Sequence, residues 1–295
     1  MAVSWVLIAF LYPALFAASN VFDKFLIEKR ISNCFSLALI IGWLELISAL
    51  IVLFFVPFNG LTIKLTSLGV LSGIIYGAAY FLYYYSISLE EVSRVISVYY
   101  ITPIIVMVLA RVFLAESLPV WKYAGAIVAV IGAVLIGLRK IELKLNFRKA
   151  FWLSLLTCFV WATVNIIQKY LLEHLSFWNV FTLQSFGLSA MLTTALFSSS
   201  VRSHLKHIVH NLHIIWIPEV LNVTAIVIYL SAVAKTEVSK ISPMGSLQPL
   251  YLLIFMLLMS KYVPNLLREE FTRKTLIIKI VAVIMIVTGA LLVAL

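Results

Sequence analysis

The sequence predicts an all-α integral membrane protein, with ten transmembrane helices arranged as two inverted five-helix repeats. Three observations predict it. The 295-residue chain is 63% hydrophobic and only 12% charged, whereas soluble domains carry roughly a quarter charged residues. Its apolar runs are long enough for helical spans of about 20 residues and lack the alternation of a barrel. Its two halves also resemble each other at a nearly constant offset.

The first five spans fall near 3–26, 35–57, 67–89, 92–114 and 121–138, and the second five near 150–172, 177–198, 214–234, 239–260 and 276–295. The first twenty residues lack the basic region of a signal peptide and are read as span one. Trp5, Trp121, Trp152, Trp178 and Trp216 stand near span starts, as interfacial anchors do; Trp43 and Trp161 are internal. Residues 1–138 form the first repeat, 139–149 a basic linker (RKIELKLNFRK) and 150–295 the second repeat. Within the second repeat, 201–213 (VRSHLKHIVHNLH) places Val201, Leu205, Ile208, Val209 and Leu212 on one face of a short amphipathic helix on the membrane. Its histidines, His204, His207, His210 and His213, lack acidic or cysteine ligands nearby and read as a solvated face; no metal and no cofactor is expected. Cys34 and Cys158 read as unpaired small residues.

The repeat is read from matched residues. NVFDKFLIE (20–28) matches NIIQKYLLE (165–173), pairing Asn20 with Asn165 and Lys24 with Lys169, each 145 apart. Tyr84 and Ser86 match Tyr229 and Ser231 at the same offset. EVSR (91–94) matches EVSK (237–240), and Pro103 matches Pro249, at an offset of 146. Five spans per half is an odd number, so the second half enters from the opposite membrane face. Inverted repeats of this kind can exchange conformations and open a central site to each side in turn.

Two five-span halves of this pattern resemble the drug/metabolite transporter superfamily, with EamA-type repeats. The resemblance is carried by YYYSISLEEVSRVISVYYITPIIVMVLARVFLAESLPVWKYAGAIVAVIGAVLIG, with a proline midway in span four, Glu116 closing it and a glycine-bearing fifth span. The second half departs from this: the matching place reads MSKYV, and acidic residues return at Glu269 and Glu270. The resemblance implies a secondary transporter of small polar or amphipathic, amino-acid-like metabolites, often an exporter. A multi-pass location in the plasma membrane is inferred from that class.

Ionisable groups inside spans are functional candidates. Glu45 lies mid-span beside Trp43; it can carry a proton as coupling ion, or simply bridge two helices by a hydrogen bond. Glu219 stands at the start of span eight and reads as interfacial, with Asn222 deeper and able to meet substrate or a neighbouring helix. Lys24 and Lys169, each one turn after Asn20 and Asn165, read as snorkelling cations or as a gate or mouth on each side. Arg94 and Lys240 read as anchors. Pro103 and Pro249 break spans four and nine at matching positions, which points to spans that line the central site; Gln248 is beside the second. Tyr76, Tyr80, Tyr83 and Tyr84 share a face of span three, with Tyr99 and Tyr100 in span four. They read as an aromatic cavity or as packing. Trp161 and Tyr229 complete the candidate substrate-binding set.

An enzyme is not expected: Asp23 is the sole aspartate, and neither HExxH nor GxSxG occurs. No GxxxxGK[ST] loop occurs, which argues against ATP-driven pumping by this chain. The net charge of +10 belongs to loops facing anionic lipid rather than to a nucleic-acid partner. The partners expected are a small-molecule substrate, membrane lipid and a proton. A flippase for a lipid-linked headgroup and a non-transporting scaffold are the alternatives. Loop Lys and Arg divide fifteen against four, which puts both termini outside, whereas the resemblance implies both inside.

Overall fold

The structure, a computed structural model, describes residues 2–29, 33–89, 92–137, 145–210, 212–260 and 273–295, and all regular structure among them is helical. The first half contains α1 (Ala2–Lys29), α2 (Cys34–Phe55), α3 (Ile63–Leu89), α4 (Val92–Tyr99), α5 (Thr102–Phe113) and α6 (Val120–Gly137). The second contains α7 (Leu145–Leu172), α8 (Phe177–Thr193), α9 (Ser199–His210), α10 (Leu212–Val233), α11 (Val238–Ile241), a 3₁₀ turn (Ser242–Leu247), α12 (Gln248–Ser260) and α13 (Arg273–Ala294). Seven stretches are long and apolar enough to cross a membrane, and Val6–Phe22 and Val120–Leu135 are shorter apolar helices. The chain is a multi-pass membrane protein. Part of the 139–149 linker and the acids Glu269 and Glu270 lie outside the described residues.

Local signals start and stop the helices. Asn33 caps α2, its Oδ1 accepting from the Phe35 and Ser36 amides at 3.0 and 3.2 Å. Ser176 does the same for α8, accepting from Asn179 at 3.2 Å. After α5, Ala115 takes φ 53°, and the Glu116 amide reaches back to the Ala110 carbonyl at 3.3 Å. The helix stops on a left-handed alanine at a place where glycine is usual. The amphipathic helix expected at 201–213 is α9, with Val201 buried and Leu205 packed beside Leu26 and Ile215. Trp121, Trp152 and Trp216 are 43, 59 and 51% exposed, open to a membrane interface.

The expected continuous spans 92–114 and 239–260 are each interrupted. The first stops at Tyr99, turns through Tyr100 and Ile101 and restarts at Thr102, with Pro103 second in the new helix. The second runs as α11, a 3₁₀ turn and α12, with Pro249 second in α12. Proline has no amide to give to the preceding turn and its ring clashes with the carbonyl four residues back. The chain therefore breaks before each proline, and the prolines sit in the first turn of a restarted helix rather than at an interior kink. Pro243, at the start of the 3₁₀ turn, adds a second such site in span nine.

The packing exchanges elements between the halves. α1 lies against α10 and α12, and α7 lies against α3 and α5. α6 pairs with α13, and α2 pairs with α8. Small residues permit the closest approaches. A Cβ on Gly73 of α3 would overlap the Gln184 carbonyl of α8, and one on Gly187 of α8 would overlap the Val70 carbonyl of α3. One pairing is unequal: α3 is clasped to α8, while α10 meets α2 only lightly.

Candidate functional site

Four long helices each turn one face toward a common cavity of about 320 Å³. α1 presents Tyr12, Phe16, Ser19 and Asn20 to it, and α7 presents Trp161, Val164, Asn165 and Gln168. α3 presents Tyr76, Tyr80, Tyr83 and Tyr84, and α10 presents Glu219, Asn222, Ile226 and Tyr229. Each set steps by three or four residues, the repeat of a single helical face. The interrupted helices close the remaining side with Tyr99, Thr102 and Pro103 from the first half and Ser242, Gly245 and Gln248 from the second.

Seven pairs of lining residues stand at the sequence offset. Phe16 and Trp161, Ser19 and Val164, Asn20 and Asn165, and Tyr84 and Tyr229 are 145 apart; Ile96 and Ser242, Tyr99 and Gly245, and Thr102 and Gln248 are 146 apart. The lining thus draws on residues at a near-constant sequence offset from each other.

One wall is aromatic and continuous. Tyr76 and Tyr80 meet edge to face at 5.2 Å, and Tyr80 lies 6.3 Å from Tyr84. Tyr83 connects Tyr84 at 5.1 Å to Tyr99 at 5.5 Å, and Tyr99 lies 4.9 Å from Trp161. Such offset and edge contacts are each worth about 0.5–1.5 kcal/mol beyond burial, so the wall holds its shape through its own ring contacts. Other lining residues are polar. The Tyr229 hydroxyl donates to Asn165 Oδ1, whose amide Nδ2 in turn donates to the Trp161 carbonyl at 2.7 Å. Gln168 Nε2 donates to Gln184 Oε1 at 2.7 Å. The Tyr12 hydroxyl donates to the Ile241 carbonyl at 3.0 Å, tying α1 to the interruption in span nine.

The substrate-binding candidates divide. Tyr80, Tyr84, Tyr99, Trp161, Asn222, Tyr229 and Gln248 line the cavity, as do Asn20, Asn165 and Pro103; Trp43, Glu45 and Pro249 do not. Trp43 donates to Thr193 Oγ1 at 3.1 Å and so joins α2 to α8. Glu45 is 1% exposed, and its Oε1 accepts from Ser185 at 3.1 Å while Oε2 has no partner among the described residues. It stands one turn along α2 from Ile41, which lines the cavity. Lys169 Nζ lies 3.3 Å from the Val233 carbonyl and 3.0 Å from that of Thr236, where it satisfies the C-terminal end of α10. The Lys24 side chain lies outside the described residues.

Sequence reasoning missed several site residues. Glu219, read as interfacial, is 5% exposed and lines the cavity. Its spacing from Asn222, three residues along one helix, was the available signal. Tyr12, Phe16, Ser19 and Gln168 were also missed, although Phe16 stands opposite Trp161 in the repeat. Glu116 holds the two halves together: its carboxylate accepts from the Val238 and Ser239 amides, each at 3.0 Å, and from the Ser239 hydroxyl. Nothing local in the sequence indicates a bond across more than a hundred residues.

Residues 3–138 match the family model of the EamA-like transporter family. That stretch, a little under half of the chain, is similar to the family. Among solved structures, a protein known by its crystal structure aligns over 98% of this chain and 96% of its own, with a TM-score of 0.71 at 15% identity, a likeness of fold. No curated protein matches the chain.

Proposed function

Starting from a chain whose residues 3–138 are similar to the EamA-like transporter family, we propose that it is a secondary transporter that moves small polar or amphipathic, amino-acid-like metabolites by alternating access. In this reading ten spans form two inverted five-helix repeats in the plasma membrane, and export is the direction the resemblance implies. The observation that carries the reading is the cavity, lined by residue pairs at the repeat offset and flanked by two helices interrupted at matching prolines. Transporters with repeats build their sites from interrupted helices at the repeat interface. The unequal clasp adds support. α3 is shut on α8 by Gly73 and Gly187, while the equivalent pair, α10 and α2, is not. Exchange of these two arrangements closes one mouth and opens the other.

A proton is the proposed coupling ion, and Glu45 its carrier. A carboxyl buried on α2, one turn from the lining residue Ile41, can gain or lose a proton as α2 and α10 move. The test is uptake of labelled amino acids and other small metabolites into proteoliposomes, with and without a pH gradient, for wild type and Glu45→Gln. Gradient-driven uptake is expected in wild type, with the gradient response lost and exchange retained in the variant. An unchanged gradient response in Glu45→Gln removes Glu45 from coupling. No flux of any solute by folded protein overturns transport.

A further inference from the structure

We propose that Gly42 of α2 is the closing residue of a second arrangement of this protein, in which α2 shuts on the α10 backbone between Ile215 and Glu219 as α8 is shut here on α3. The proposal rests on the transport reading for the exchange of two arrangements, and it goes beyond that reading in naming the contact that the second one makes.

α2 and α8 each contain a single glycine, Gly42 and Gly187, and the two are 145 residues apart. Glycine admits the closest approach between helices in a membrane. Gly187 uses that freedom: a Cβ there would overlap the Val70 carbonyl of α3 and lie 2.9 Å from the Ile74 amide nitrogen. Gly42 faces something softer. The nearest atoms to a Cβ there belong to the Leu192 side chain of α8, from 3.0 Å. The places 145 residues beyond Val70 and Ile74 are Ile215 and Glu219, both on α10. A close approach that Gly187 makes in this structure is therefore available to Gly42 at the matching places.

The packing singles out the same seam. Among the uninterrupted helices, the close pairing of α1 with α10 recurs as α7 with α3, and α6 with α13 and α2 with α8 join helices that match each other at the offset. α3 with α8 is close as well, yet its counterpart, α10 with α2, is light. α2 and α10 already share a buried cluster in which Ile215 joins Leu37, Ile40 and Ile41. Ile41 and Glu219 line the cavity, so closure at Gly42 narrows it from that side. The two closures differ in tightness. The α3–α8 seam has glycine on both helices, with Gly73 against the Gln184 carbonyl. α10 contains no glycine, and Pro218 stands at the offset from Gly73. The second closure depends on Gly42 alone for its close approach, and the arrangement seen here is the more populated one at rest.

The experiment measures the α2–α10 distance by double electron–electron resonance in proteoliposomes. Spin labels are placed on Ile51→Cys and Thr224→Cys, both exposed positions, in the full chain carrying Cys34→Ser and Cys158→Ser. The expected result is a major long distance and a minor short one. Gly42→Ala lowers the short-to-long ratio by about tenfold or more, since its methyl meets backbone in the closed α2–α10 seam and a yielding side chain in the arrangement seen here. Gly187→Ala raises the ratio, because its methyl wedges α3 from α8. Gly77→Ala, whose methyl would lie 2.7 Å from the Met191 Cβ, is the milder wedge should Gly187→Ala misfold; monodispersity on size exclusion reports folding of each variant. A single distance that no folded wedge variant shifts, or a short distance undiminished in Gly42→Ala, overturns the proposal. Two distances that respond as expected, with no flux of any solute, overturn the transport reading and leave the closure. Flux through a protein whose α2–α10 distance never changes does the reverse.

Discussion

Replacing Glu116 with alanine tests how far the two halves depend on one side chain. The Glu116 carboxylate, 8% exposed, receives the Val238 and Ser239 amides and the Ser239 hydroxyl. The two amides belong to the first turn of α11 and have no partner within that helix. A hydrogen bond to a charged group is worth about 1.5–3 kcal/mol, and a buried donor left unmade costs about 1–3 kcal/mol. At the low end of that range each amide contributes about 1.5 kcal/mol and the pair about 3 kcal/mol. The hydroxyl can rotate to another acceptor and adds little. Glu116→Ala should therefore lower the unfolding free energy by about 3 kcal/mol, and Glu116→Gln, which keeps one acceptor oxygen, by about half as much. Reversible unfolding by sodium dodecyl sulfate in mixed micelles, followed by far-ultraviolet circular dichroism, measures both. A loss under about 1 kcal/mol for alanine would show that water replaces the carboxylate at no cost, and the interlock argument fails.

Four further outcomes are expected. Ala115→Gly should raise stability by about 0.5–1 kcal/mol in the same assay, because φ 53° is strained for alanine and free for glycine. Gly73→Ala should lower stability by about 1–3 kcal/mol, since the added methyl meets the Gln184 backbone rather than a movable side chain; flux in proteoliposomes should fall with it as the α3–α8 closure is forced apart. Trp43→Phe should cost about 1 kcal/mol by loss of the bond to Thr193 and leave solute affinity unchanged, as Trp43 is not in the cavity wall; a change in binding affinity would return it to the site. Lys169→Met should cost about 1–2 kcal/mol by leaving the Val233 and Thr236 carbonyls without their donor, with the rate of flux lowered more than the affinity, which separate measurements of binding and uptake distinguish.

The sequence by itself determined the membrane class and the helical content. These rest on local facts: lipid forces backbone groups to bond within a helix, and side-chain hydropathy reports burial in lipid directly. It also determined much of the cavity's aromatic wall, because Tyr76, Tyr80, Tyr83 and Tyr84 share one face of one helix and face is a local property. The prolines at 103 and 249 announced interruptions, although not that each helix would restart with its proline in the first turn. Only the tertiary structure decided which faces meet. Lipid-facing and protein-facing surfaces are both apolar, so hydropathy does not separate them. For that reason Glu45, the most conspicuous charge in the sequence, bonds Ser185 of α8 outside the lining, while Glu219 at a span's start lines the cavity. Lys169 and Glu116 were decided by the same cause. Each satisfies the end of a helix far away in the chain, and the demand it meets comes from a backbone that only the assembled bundle brings within reach.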